Sequence, residues 1–97
     1  MKTKLNGLLF FLLVFPLCMI AQSTVKGTVT EQSSSLPLPS VNVIIKDTSR
    51  GTATDFDGRY QVNVNNGDVL VFSYIGFIAQ EIIYNGQQTI NVALIED

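Results

Sequence analysis

An all-β sandwich of seven short strands is the fold class this sequence predicts, and three observations predict it. Turn dipeptides recur at Asp57-Gly58, Asn66-Gly67 and Asn85-Gly86. The segments around them alternate apolar and polar residues with the period of two that gives a strand one core-facing side. After the first 21 residues, no segment of useful length carries the period of a helix. Short strands separated by regular turn signals are the pattern of a sandwich.

The first 21 residues read as a cleavable secretory signal peptide. Lys2 and Lys4 give a basic start, Leu8–Val14 (LLFFLLV) an apolar run, and Ala21 a small residue at the cut. A membrane-spanning helix needs about 20 apolar residues, whereas this run is bounded by Asn6-Gly7 and Gln22-Ser23-Thr24 and contains Pro16. A lipoprotein signal places small residues ahead of its cysteine; here Pro16 and Leu17 precede Cys18. Cleavage after Ala21 therefore leaves a domain of residues 22–97 with no cysteine, which must rely on packing or on whatever it is attached to.

The strands follow in order. Thr24–Thr30 alternates, with Val25, Gly27 and Val29 on one side. Glu31–Ser40 is polar and carries Pro37 and Pro39, which cannot donate to a ladder, so it reads as a loop. Val41–Asp47 turns Val41, Val43 and Ile45 inward, while Ile44 breaks the alternation and implies partial cover on the other face. Gly51–Phe56, Arg59–Asn65 and Asp68–Tyr74 then read as a three-strand meander joined by two hairpin turns, because such a dipeptide between β-rich runs is the strongest short-range hairpin signal.

Within that stretch Leu70, Phe72 and Tyr74 face one side, and Val69, Val71 and Ile75 the other. Apolar on both faces, the segment predicts a central strand, or one covered by another chain or domain. Gly76 marks a bulge or sharp bend. Ile78–Tyr84 and Thr89–Leu94 complete the count. A bilayer-spanning barrel needs strands of about 9–11 residues and at least eight of them, so the expected domain lies outside the membrane.

Composition excludes several function classes. Residues 22–97 carry four Lys and Arg against eight Asp and Glu, and the protein has no histidine. No basic patch with interleaved aromatics offers a nucleic-acid surface, and the commonest general base and metal ligand are missing. For Ser33–Ser35, with no histidine only a lysine or carboxylate could serve as the base, and the polar loop that holds them has no glycine-flanked elbow. Enzyme and small-molecule roles are both unexpected. Asp55 and Asp57 in DFDG are the nearest approach to a metal site, but a calcium loop needs a third ligand before its glycine and a glutamate after it. A tight turn is the favoured reading, with Asp57 accepting backbone hydrogen bonds and Gly58 at positive φ. Phe72, Tyr74, Phe77 and Tyr84 form a sugar platform only if two of the rings are exposed on one face; core is the alternative.

Taken together, V-x-G-x-V (Val25–Val29), L-P-x-V-N-V (Leu38–Val43), G-T-x-T-D-x-D-G-x-Y (Gly51–Tyr60) and L-V-F-S-Y-I-G-F (Leu70–Phe77) resemble the carboxypeptidase-regulatory-like domain. In Bacteroidota this domain commonly stands at the N-terminus of SusC-like TonB-dependent outer-membrane receptors. The resemblance covers nearly all of residues 22–97 and implies a transthyretin-like, Greek-key sandwich with no catalytic residue and no cofactor. It also implies the partners: a receptor plug and barrel, in the same chain or a split one, and a TonB-type energising system on the periplasmic side of the outer membrane. Two organisations are expected from it, an N-terminal fragment of such a receptor or a free-standing exported module that binds a protein or glycan, and the fragment is preferred.

Overall fold

The computed structural model describes residues 22–97; the signal-peptide reading falls on residues outside them. Seven strands form two sheets: β1 Ser23–Glu31, β2 Asn42–Ile45, β3 Gly51–Ala53, β4 Arg59–Val64, β5 Val69–Ser73, β6 Gln80–Ile83 and β7 Val92–Leu94. One sheet has the order β4-β1-β7, the other β3-β2-β5-β6. The inward positions pack into a single core, with Val25, Val29, Val43, Ile45, Leu70, Phe72, Val64 and Leu94 almost wholly removed from water. Each side chain of that size contributes roughly 1.5–3 kcal/mol by its burial. With no cysteine beyond Cys18, that packing is what holds the described domain together.

The three-strand meander is not what forms. β3 and β5 lie in the four-stranded sheet, whereas β4 between them pairs antiparallel with β1 in the other. The turns at Asp57-Gly58 and Asn66-Gly67 therefore carry the chain from sheet to sheet. Side-chain chemistry explains the choice. Beside β1, the polar face of β4 meets polar partners (Asn63 opposite Thr24, Gln61 opposite Lys26, Arg59 opposite Thr28), and bulky Tyr60 lies opposite Gly27. Beside β5, the same polar residues would have lain next to Val69 and Val71, and cross-strand pairing disfavours such neighbours. The central position expected for β5 does hold: it lies between β2 and β6, with Leu70 and Phe72 buried and Val69 and Val71 half-buried on the outer face.

Every strand but β1 is shorter than the sequence implies, and β3 and β7 show how. β3 stops at Ala53 because Thr54 turns inward, where its Oγ1 accepts from the Val41 N–H (2.9 Å) and donates to the Leu38 carbonyl (2.6 Å). β7 runs parallel to β1, in register from Val29 opposite Val92, with an isolated bridge from Lys26 to Thr89. Ile90 N–H still donates to the Lys26 carbonyl (2.9 Å), and beyond it the ladder opens at the Ile90 carbonyl and Asn91.

The strand directions give the sandwich two distinct poles. At the first lie the start of β1 and the turns Lys46–Arg50, Asn65–Asp68 and Asn85–Gln88. At the second lie the loop after β1, the β3–β4 turn, the β5–β6 connection and the last residues of the chain. A strand of nine residues, as β1 is, spans about 30 Å at the usual rise, and the chain enters at one end of that length and leaves at the other.

Candidate functional site

The DFDG corner is a closed turn. Gly58 N–H donates to the Asp55 carbonyl (2.9 Å), and Asp55 Oδ1 accepts from the backbone N–H groups of Asp57 and Arg59, both at 2.9 Å. The accepting carboxylate is thus Asp55, whereas the sequence pattern favours Asp57. Gly58 is the residue that the corner requires. Its φ is +74°, its carbonyl accepts from Val29 N–H (2.8 Å), and a Cβ there would meet the Val29 carbonyl oxygen at 2.6 Å. Among the described residues, no group of three or more metal-ligating side chains surrounds Asp55 and Asp57.

The remaining turn residues stand at bends of the chain. Gly67, Gly76 and Gly86 all have positive φ. Asp68 N–H donates to the Asn65 carbonyl across Asn66-Gly67, and Asn85 N–H to the Gln87 side chain beside Gly86. Gly76 is the third residue of a turn closed by Phe77 N–H to the Tyr74 carbonyl (3.1 Å).

The four aromatic rings do not form a platform. Phe72 and Tyr84 are core residues, while Tyr74 and Phe77 are half-buried and lie against each other with centroids 5.7 Å apart.

An open groove of ≈ 670 Å³ has a lining that includes Lys26, Thr28, Asp55, Arg59, Gln61 and Asn91. It offers scattered charge and amide groups, with no nucleophile paired to a base. Beneath it lies a contact that strand alternation does not reveal. Tyr60 Oη donates to the Ile90 carbonyl (2.5 Å) in the gap of the β1–β7 ladder, and its ring meets Phe72 edge-on at 5.4 Å. Thr28 N–H takes its acceptor from the Asn91 side chain (2.9 Å). Burial pushes the Tyr60 phenol up to about 12, because the ionised form would lose its hydration.

The second pole carries the most unusual surface. Of the six large apolar side chains left exposed among the described residues, Leu36, Phe56, Ile75, Ile78 and Ile95 lie there; Ile83 alone does not. Phe56 is 91% exposed and Ile75 94%. Both occupy the second position of a four-residue turn, Asp55–Gly58 and Tyr74–Phe77. The pattern was legible in DFDG and YIGF: a side chain at that position of a tight turn points away from the strands the turn connects. The final residues are stitched to the same pole by Ile78 N–H to the Ile95 carbonyl (2.8 Å) and Asp97 N–H to the Gly76 carbonyl (2.9 Å).

Comparison with known proteins places the chain among sequence relatives. Residues 25–97 match the family model described as CarboxypepD_reg-like domain. The chain is 40% identical over 87 residues to TonB-dependent receptor P3 of Formosa agariphila, covering 89% of this chain and 9% of that protein. It is 48% identical over 75 residues to TonB-dependent receptor P39 of the same organism, covering 76% and 7%. With TonB-dependent receptor SusC of Bacteroides thetaiotaomicron it shares 42% identity over 76 residues, covering 78% and 7%. The chain thus spans less than a tenth of the length of these relatives.

Proposed function

The chain belongs to the CarboxypepD_reg-like domain family, and from that premise we propose that it is a non-catalytic accessory domain at the N-terminal end of a TonB-dependent outer-membrane nutrient receptor. It stands on the periplasmic side as a rigid sandwich ahead of the plug and barrel and helps to present the segment that the energising partner grips. The observation that carries this reading is identity of 40–48% to TonB-dependent receptors across three quarters or more of this chain. The architecture is suited to the task. The start of β1 and the last residues of the domain stand at opposite poles, so the sandwich sets them about 30 Å apart.

The test is the reading frame beyond codon 97, followed by membrane fractionation of the full product. A plug and barrel encoded in continuity or directly downstream, with the product in the outer membrane, is the expected result. A stop codon followed by unrelated genes, together with a product released as a small exported protein, sinks the proposal.

A further inference from the structure

The two poles differ in chemistry as well as in position. The turns of the first are KDTSR, NNGD and NGQQ, without one apolar residue. The second exposes Leu36, Phe56, Ile75, Ile78 and Ile95, with Phe56 and Ile75 almost fully open to solvent. The strands that lead into the turns of Phe56 and Ile75, β3 and β5, are separated by β2 alone, so they run roughly 10 Å apart. At the same end of the sandwich lie Glu31, Asp55, Asp57, Glu96 and Asp97, with Arg59 as a cation there.

An apolar surface with an acidic rim calls for a partner with an apolar patch and a basic rim. It also lies where the chain leaves the sandwich, since Ile95 and Asp97 are hydrogen-bonded to Ile78 and Gly76. In the matched receptors, more than nine tenths of the polypeptide lies outside the region of similarity. A segment tethered directly to this pole meets it at an effective concentration in the millimolar range, which favours it over any untethered competitor.

We infer that this pole is a docking surface, and that its occupant is the basic-rimmed apolar surface of the receptor polypeptide that follows the domain. The inference rests on the receptor reading above. Phe56 and Ile75 act as the anchors, because they are the most exposed apolar groups and project from turns. Docking there converts a flexible junction into a fixed one, so that the sandwich is held against the receptor by the face nearest the chain exit.

The test uses cysteine accessibility in the full-length receptor, with the 97-residue chain as the reference. Phe56→Cys, Ile75→Cys and, as a control on the polar face, Gln61→Cys are labelled with a maleimide reagent, and each site is read by mass spectrometry to separate it from Cys18. The expected result is labelling at least ten-fold slower at positions 56 and 75 in the receptor than in the reference, relieved by high salt, with position 61 unchanged. Equal rates in both contexts overturn docking while leaving the receptor reading intact. Slowing at all three sites also overturns it, since that is general occlusion. Concentration-dependent dimerisation of the 97-residue chain that Phe56→Ser and Ile75→Ser abolish would assign the pole to a second copy instead. A locus that encodes no receptor overturns this inference together with the reading beneath it.

Discussion

Replacing Gly27 by alanine probes the most constrained contact in the domain. The added methyl would overlap the carbonyl oxygen of Ile90 and stand 2.6 Å from its carbon, inside any acceptable contact. The obstacle is backbone, so relief requires β1 and β7 to part locally. Three hydrogen bonds meet there: Lys26 N–H to the Gln88 carbonyl (3.3 Å), Ile90 N–H to the Lys26 carbonyl (2.9 Å), and Tyr60 Oη to the Ile90 carbonyl. At roughly 1 kcal/mol net for each, and more where a buried group loses its partner, their loss costs about 3–4 kcal/mol. A domain of this size is stable by roughly 4–11 kcal/mol, so the variant stays folded with little margin. The melting temperature then falls by about 12–30 °C, taking about 4–8 °C for each kcal/mol. Thermal unfolding of residues 22–97 followed by circular dichroism measures this, with Gly67→Ala alongside. Gly67 has φ +91°, but a Cβ added there would meet nothing within 4 Å, so its substitution bears a conformational cost alone, about 1–2 kcal/mol. A Gly27→Ala melt within about 4 °C of wild type, or a larger loss from Gly67→Ala, refutes the close-approach account.

Three further outcomes follow from the same contacts. Tyr60→Phe leaves the Ile90 carbonyl without its donor and costs about 1–2 kcal/mol near neutral pH. Because the folded state holds the phenol proton up to about 12 and the unfolded chain releases it near 10, wild type has this contribution in full below pH 10 and loses it as pH rises through 12. The gap in urea midpoint between wild type and Tyr60→Phe therefore narrows over that window, and a constant gap counts against the burial of Tyr60. Thr54→Val strands the Val41 N–H and the Leu38 carbonyl and lowers stability by about 1–3 kcal/mol in urea unfolding; an unchanged midpoint contradicts that role. Millimolar calcium leaves the melting temperature unchanged, because Asp55 already holds two backbone N–H groups, whereas a clear rise restores Asp55 and Asp57 as metal ligands.

Much of the fold was legible in the residues. The alternation at Val25 and Val29, at Val41, Val43 and Ile45, at Leu70 and Phe72, and at Ile90, Val92 and Leu94 names side chains that are indeed buried. Turn chemistry at Gly58, Gly67, Gly76 and Gly86 locates backbone at positive φ. What such dipeptides do not carry is the destination of the chain. A tight turn reverses direction equally well within a sheet or between two sheets, and the meander failed at that point. Thr54 reads as one more strand residue because its alternating position is compatible with a ladder; its hydroxyl instead bonds two backbone groups from residues 38 and 41. The exposed pole was readable from Phe56 and Ile75 at turn positions, but its coherence was not, since Leu36 and Ile95 join it from distant parts of the chain.

By itself, the sequence determined which segments are strands, which face of each is apolar, where the chain bends, and the family resemblance. All of these are encoded within a few neighbouring residues. The tertiary structure alone decided that β4 leaves its chain neighbours for β1, that β7 returns parallel to β1, and that Lys26 lies beside Thr89. Gly27 is the clearest case. In the chain it is a small residue at an inward position, and only the arrival of Ile90 and Tyr60 turns the missing side chain into a requirement. The physical reason is that steric exclusion and buried hydrogen bonding act between groups that touch, and these groups touch only after two sheets have closed over one core.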